Sequence, residues 1–578
     1  MTTPPDAKTT ETPPPPRPDA PSAPLSSSDG RAPAPDTRNP ALDAREPSTD
    51  EAARARDTPD APSLALAWRW WLAPALAAFA LALLFADPFA GDWDAVDYTV
   101  LALRGEPSTM LFGRILFIFA NHLAYRVAHA AFGLEPGDAY LLFKYMVVCE
   151  TPLVVVALWA LARDLTRDAR AATVAAWTLA ACPFFIIYGG QAMTEIPSLL
   201  LVCSALVVHL RGLRRRSVAL VILGASLLGA CNNVREVASL YGVWLVVAPL
   251  SVGWKLDRRA LCVTALACVA FFACAFAPFL FFYLGDVGGY RAGWHGWVES
   301  MRSEEGAHPV SLRNFAPLFL FFFVAAPLAL LLLPAAARAE WRARRFSPPL
   351  ALACVGVFAN LMLVTHYSTV INGRYLLTGL PGVLPLAADY LVRRETKRVG
   401  DRRRGFRRAA YASAISALLL GAIFYAGSRE TLRHHGITKE YGARLALLPD
   451  DAVVIAGGQT VSVSYYRALG AGRWDVTGTG GGSPAAPLSD VIENYLRAGR
   501  RVFLDTDSRL WFNDHWRGAE TRAVAALGTR FRFRRVSGTV YEIRPAADET
   551  ARDEPDFERL LRKRPPLLQR IGDWIKAQ

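Results

Sequence analysis

None of the eight cysteines is spaced as CxxC, and none stands at metal-ligand distance from a histidine. All of them, at 149, 182, 203, 231, 262, 268, 274 and 354, fall in or beside apolar runs. Neither a disulfide framework nor a zinc site is supported. A phosphate-binding loop is missing too: Gly478-Thr-Gly-Gly-Gly482 has no following lysine and runs into Pro484 and Pro487, which reads as a flexible loop. The first apolar run begins near residue 67 and is long for the core of a cleavable signal, so it reads as a retained helix.

What the chain has in quantity is apolar sequence. Of its 578 residues 52% are hydrophobic and the mean hydropathy is +0.21, more than a soluble protein of this size carries. Eight stretches (67–88, 139–162, 171–189, 260–284, 314–337, 349–366, 374–392 and 408–427) approach or exceed the roughly 20 residues that cross a hydrocarbon core. Three shorter ones, 195–210, 217–231 and 237–253, are expected to span as well. The net charge of +13 would suit nucleic acid if it lay on one soluble face, but it sits in short loops between apolar runs, so the expected partner is the bilayer and not nucleic acid.

Those loops also carry orientation. Residues 1–62 are rich in Pro, Ala, Asp, Thr and Arg without apolar periodicity and read as a disordered cytoplasmic tail. Arg163–Arg170, Arg211–Arg216, Lys255–Arg259, Arg338–Arg345 and Arg393–Arg408 should all be inside, each two crossings from the next. That parity holds only if 111–132 does not cross. Its polar residues Arg114, Asn121, His122, Tyr125, Arg126 and His129 recur at three- to four-residue steps, as on an amphipathic helix lying in the interface; a spanning helix with one polar seam is the alternative.

The expected fold is therefore a polytopic α-helical membrane protein of the cell (inner) membrane, with about 11 transmembrane helices and juxtamembrane helices. The N-terminus is cytoplasmic, 63–427 form the membrane domain, and 428–578 form a small extracytoplasmic α/β domain. In that domain AVVIAGG (452–458) and RVFLDTD (501–507), with helical patterns at 459–469 and 487–499, read as a βαβ unit. FRFRRVSGTVYEIRP (531–545) alternates about a Ser-Gly turn like a hairpin, and 554–578 form a basic amphipathic stretch.

The segments 89–138, 190–194, 232–236, 285–313 and 367–373 should meet on the outer side, and the candidate chemistry lies there. GDWDAVDY (91–98) supplies Asp92, Asp94 and Asp97; Asp92 or Asp94 equally suits a helix N-cap. Glu195, in QAMTEIP, begins a span, where the helix dipole alone would favour it. Arg235 and Glu236 interrupt two apolar runs and are either functional or paired with one another. Lys144 and Glu150, inside 139–162, should face the bundle interior. Arg374, in NGRYLLTGLP (372–381), is placed to hold a phosphate with its forked donors, or to snorkel to lipid headgroups. Asp505-Thr-Asp507 has the spacing of a metal-nucleotide DxD, but it stands where nucleotide sugars are not expected.

Taken in order, these motifs over residues 67–427 resemble the GT-C superfamily of membrane glycosyltransferases, in particular the branch with protein O-mannosyltransferases and the lipid A aminoarabinose transferase. Asp94-Ala-Val-Asp-Tyr98 with Gly105 is similar to the first-loop pattern of that family, AMTEIPSLL (192–200) to its Met-Thr-acid-x-Pro segment, and NGRYLLTGLP to its Arg-Tyr-Leu-Leu span. The His-Pro-Pro or Lys-Pro-Pro segment common after the acidic motif is missing, with Glu106-Pro107-Ser108 near its place. The resemblance implies a polyprenyl-phosphate-linked sugar as donor, a hydroxyl acceptor of unknown identity and Asp94 as the base. Asp92, Asp97 and Glu195 are the other catalytic candidates, and Arg374, Arg235, Lys144, Arg114 and Tyr375 are the candidates for the donor phosphate. It does not demand a metal, although the acidic loops leave a divalent cation open. A transporter or flippase using Lys144, Glu150 and Glu236 is the rival, but no inverted repeat is visible. A non-catalytic assembly subunit is the third reading.

Overall fold

The computed structural model describes residues 64–86, 93–107, 114–255, 257–285, 288, 291, 315–343, 346–366, 373–456, 460–478, 487–507 and 523–557. The N-terminal tail, Asp92, most of the 285–313 loop, 367–372, most of the glycine run and most of the basic C-terminal stretch lie outside these residues. The helical part contains α1 (Leu64–Leu84), α2 (Trp93–Arg104), α3 (Ile115–Phe132), α4 (Ala139–Thr166), α5 (Ala169–Ala180), α6 (Pro183–Gly189), α7 (Glu195–Arg215), α8 (Val218–Cys231) and α9 (Val243–Ser251). It continues with α10 (Arg258–Gly285), α11 (Phe315–Ala325), α12 (Pro327–Arg342), α13 (Pro348–His366), α14 (Leu380–Val399) and α15 (Arg402–Leu445).

By length and composition, five helices among the described residues can cross a membrane, or six if the bent pair α5 and α6 is one span. Among the described residues this is fewer than the about 11 expected from hydropathy, and proline divides two apolar runs that look continuous in sequence. The run 171–189 bends by 63° before Pro183. The run 314–337 breaks at Ala326 before Pro327. Four further apolar stretches among the described residues are Trp70–Leu84 within α1, Val218–Cys231, Glu236–Ser251 and Pro348–Leu361 within α13. Where helices meet, small residues let backbones touch: a Cβ on Gly224 of α8 would lie 2.5 Å from the His209 nitrogen of α7.

The contacts of α3 bear on the choice that composition left open. Ile115–Phe132 is apolar and long enough to span, but both of its ends lie at one end of the bundle. At its start the Leu116 amide donates to the Asn233 carbonyl at 2.9 Å. Its middle lies along α2, with His122 Nδ1 2.7 Å from the Ala102 carbonyl. Its end turns at Gly133 (φ 69°) through Pro136–Asp138 into α4. It is α4 that then travels to the opposite end, where Trp159 donates to Thr173 (3.2 Å) and Thr173 to the Trp70 carbonyl (3.1 Å) at the start of α1.

The C-terminal sheet has five strands in the order β2-β1-β3-β5-β4, formed by β1 (Val453–Ala456), β2 (Asp475–Gly478), β3 (Val502–Asp505), β4 (Phe531–Ser537) and β5 (Val540–Pro545). α16 (Thr460–Ala468) and α17 (Leu488–Arg497) connect the parallel strands β1, β2 and β3. The βαβ expectation thus gains a strand. DVTG is only four residues long and runs into glycines, so it carries no apolar signal of its own. The 531–545 hairpin is present, turning at Gly538 (φ 52°). The expected domain boundary at 427/428 falls inside α15. This helix of 44 residues, about 66 Å long, runs unbroken from the bundle to Tyr441 and Leu445 in the core of the sheet.

Candidate active site

Four segments of the chain converge at the end of the bundle where α3 lies. Asp94 occupies the first turn of α2. Glu195 is the first residue of α7, a position that the exposed amides of a helix N-terminus favour for a carboxylate. Arg235 stands in the extended residue between α8 and the 3-10 turn Glu236–Gly242. The adjacent Asn232 and Asn233 amides pin that turn to α10 through the Ala275 and Cys274 carbonyls, at 3.2 and 2.9 Å. Arg374 and Tyr375 lie in the 3-10 turn Gly373–Gly379 that opens α14.

Arg374 links the carboxylates. Its Nη1 donates to Asp94 Oδ2 at 2.7 Å, and its Nε lies 3.7 Å from Glu195 Oε1. Arg235 Nη1 donates to the same Glu195 oxygen and, at 3.3 Å, to the Thr194 hydroxyl. The Tyr375 ring carries both guanidiniums, with centroids 5.7 Å from Arg235 and 5.3 Å from Arg374. Arg114 sits over the Tyr98 ring at 5.0 Å and 4.0 Å from Glu236. Glu195 and Arg235 are the more deeply buried, at 1% and 8% side-chain exposure, and Asp94 and Arg374 are only slightly more exposed, at 14% and 15%.

Burial pushes the Asp94 carboxyl up, but Arg374, Arg114 and Arg235 together more than offset it and hold it below the usual carboxylate range. Asp97, one turn further, goes the other way: burial and the Asp94 charge push it up to about 6. Glu195 Oε2 and Arg235 Nε are among the polar atoms here that are buried without a hydrogen-bond partner among the described residues. Buried groups of this kind are ordinarily satisfied, so each calls for an explanation.

The structure therefore gathers Asp94, Asp97, Glu195, Arg235, Arg374, Tyr375 and Arg114. Lys144 is buried on α4 with its ammonium 4.5 Å from the Tyr145 ring centroid. It is not among the charges that act most strongly on Asp94. Sequence reasoning missed the roles of Tyr98, Thr194 and Asn233, although Thr194 stands inside the Met-Thr-Glu motif. No group of three or more His, Cys, Asp and Glu among the described residues is arranged to hold a metal. In the C-terminal domain the DxD carboxylates already have a cation of their own. Arg444 lies 3.1 Å from Asp505 Oδ2 and 3.0 Å from Asp507 Oδ2, and Thr539 donates to Asp505 Oδ1 at 2.6 Å.

No family model and no curated protein sequence matches the chain. Solved structures do. ArnT from Cupriavidus metallidurans, bound to undecaprenyl phosphate, is 14% identical and superposes with a TM-score of 0.58 over 83% of this chain and 99% of that one. The archaeal oligosaccharyltransferase AglB from Archaeoglobus fulgidus, in complex with an inhibitory peptide and a dolichol-phosphate, is 12% identical with a TM-score of 0.51 over 84% and 74%. Both are GT-C superfamily members. This chain shares the fold of those two structures. On that fold the carboxylate-guanidinium cluster sits where α2 and α3 meet the bundle.

Proposed function

We propose that the protein transfers a sugar from a polyprenyl-phosphate carrier to a hydroxyl acceptor at the outer face of the inner membrane, with Asp94 as general base. The observation that carries the reading is the Arg374 fork, which joins an ionised, largely buried Asp94 to a second guanidinium through Glu195. Opposite charges at this spacing are what in-line displacement of a phosphate needs. The acceptor oxygen attacks the anomeric carbon, the bond from that carbon to the phosphate oxygen breaks, and the acceptor proton passes to Asp94. The lipid phosphate leaves carrying the bonding pair, and Arg374 and Arg235 meet its charge. Arg114 lies close enough to act on Asp94 and steadies the same region. The unpartnered Arg235 Nε is a donor that a phosphate oxygen would satisfy.

Asp94 and Glu195 are already bound by guanidiniums, so a divalent cation at the acidic loop would draw its ligands from other groups. Undecaprenyl phosphate bound to the ArnT structure supports the lipid class. The α3 path supports the sidedness: with α3 lying along the surface, Asp94, Glu195, Arg235 and Arg374 share the outer end.

The test uses the full chain in lipid nanodiscs. Native mass spectrometry with added undecaprenyl phosphate should show one bound lipid that is lost in Arg374→Ala. Label from undecaprenyl-phosphate mannose or aminoarabinose should leave the lipid in membranes containing the protein. Asp94→Asn should retain the lipid and lose transfer; transfer at the wild-type rate would remove Asp94 from the mechanism.

A further inference from the structure

α16 belongs to the C-terminal domain by sequence but serves two cores. Val463 is buried in the core under the sheet, whereas Tyr465, only 1% exposed, is buried in the core of the helical bundle. Between them the helix packs along α2. Burial, reinforced by the charge of Asp138 at the start of α4, pushes the Tyr465 phenol up to about 12. On the other side Gly442 of α15 leaves space for the neighbouring Tyr466 ring. A Cβ at 442 would overlap its Cζ.

α2 depends on such neighbours. It has twelve residues, about the length at which an isolated helix is marginal in water. Ala95, Val96, Tyr98, Thr99, Val100 and Ala102 are all buried, a set that covers rather more than half of the helix circumference. α3 and α4 cover part of that surface, Phe117 meeting the Tyr98 ring edge-on at 5.7 Å, and α16 covers another part. Asp94 is in the first turn, so the seating of α2 sets the 2.7 Å contact with Arg374. Arg374, Glu195 and Arg235 are anchored separately, on α7 and the turns at 232–236 and 373–379.

We infer that the C-terminal domain positions the base: Tyr465, seated by α16 in the bundle core, is a positioning residue that fixes where α2 holds Asp94. This rests on Asp94 being the base. A misplacement of about 1 Å costs a reaction roughly 100-fold, while phosphate binding, carried by groups on other elements, is spared.

The experiment compares Tyr465→Ala and Tyr465→Phe in the full chain in nanodiscs. The expected result for Tyr465→Ala is a kcat lowered by up to about 100-fold, with undecaprenyl phosphate retained in native mass spectra. Carbodiimide, which attacks protonated carboxyls, should label Asp94 several-fold faster as it leaves Arg374, with labelling of Asp389 unchanged. Tyr465→Phe, which keeps the ring, should recover most of the turnover lost in Tyr465→Ala and the slower labelling of Asp94. If Tyr465→Ala does not fold, Tyr465→Leu is read by the same three measurements. Wild-type turnover and labelling in the truncated variant overturn the inference, and so does an equal rise at Asp389, which would mean general loosening. The base assignment fails separately, through undiminished transfer by Asp94→Asn.

Discussion

Glu195→Gln removes one negative charge from the site while keeping the shape of the side chain, and the outcome depends on what holds Arg235 and Arg374 apart. Glu195 is 1% exposed and its Oε1 faces both guanidiniums, Arg235 in direct contact and Arg374 at 3.7 Å. Removing one member of a buried ion pair costs about 3–5 kcal/mol, because the remaining charge is left uncompensated. Arg374 keeps Asp94, so the lower end, about 3 kcal/mol, is expected. A phosphate brought into the site resupplies the missing charge. Undecaprenyl phosphate should therefore bind the variant about tenfold more tightly than wild type, equivalent to about 1.4 kcal/mol of extra stabilisation by the lipid. The assay is thermal unfolding of the purified protein in detergent, followed by tryptophan fluorescence across a lipid titration. Wild type should melt higher without lipid and gain less from it. A variant as stable as wild type, or one that gains no more from the lipid, would refute the claim that these arginines are a phosphate site held ready by Glu195.

Further expectations concern separate parts of the molecule. Asp94→Asn should lower transfer by about 100- to 10,000-fold, the usual worth of a general base, with lipid binding preserved in the mass spectrum. Asp97 binds its proton in the folded state up to about pH 6, above the ordinary value of 3.8. The folded state thus holds more protons than the unfolded one across that window, and the contribution of this group to stability falls as pH rises from about 4 to about 6. Asp97→Asn should flatten that part of a melting-temperature profile. Arg444→Ala leaves the buried Asp505 and Asp507 facing one another, and by the same pair-breaking cost should destabilise the sheet domain by about 3 kcal/mol. Limited proteolysis should show cleavage rising in that domain.

Much of the site was legible because charge inside an apolar chain is conspicuous. Asp94, Glu195, Arg235 and Arg374 each interrupt hydrophobic sequence, and basic-loop parity assigns all four to one end. Contacts were not legible. That Arg374 takes Asp94 and Glu195 together depends on where two 3-10 turns end, and no periodicity encodes this. Lys144 has the right charge at a plausible depth, yet its ammonium lies over Tyr145. Proline divides two runs that read as continuous in the sequence, at Pro183 and Pro327. The β2 strand escaped because it is four residues long, and α16 because Tyr465 reads as an ordinary core residue of a small α/β domain. Its second core is a tertiary fact.

The resting geometry also bears on the order of events. A carboxylate held low by Arg374 is ionised at neutral pH but is a poor proton acceptor, since a base works best with its pKa near the ambient pH. The arrival of a lipid phosphate gives Arg374 a competing anion. As the guanidinium turns toward it, the largest attraction lowering Asp94 weakens while burial, the largest influence raising it, stays. The Asp94 carboxyl then climbs toward the range in which it accepts the acceptor's proton. On this reading the donor switches on the base, and a site without donor spares water the same activation. The consequence is measurable: carbodiimide labelling of Asp94 should rise when undecaprenyl phosphate is added to the wild-type protein. In Arg374→Ala it should be high from the start and indifferent to the lipid.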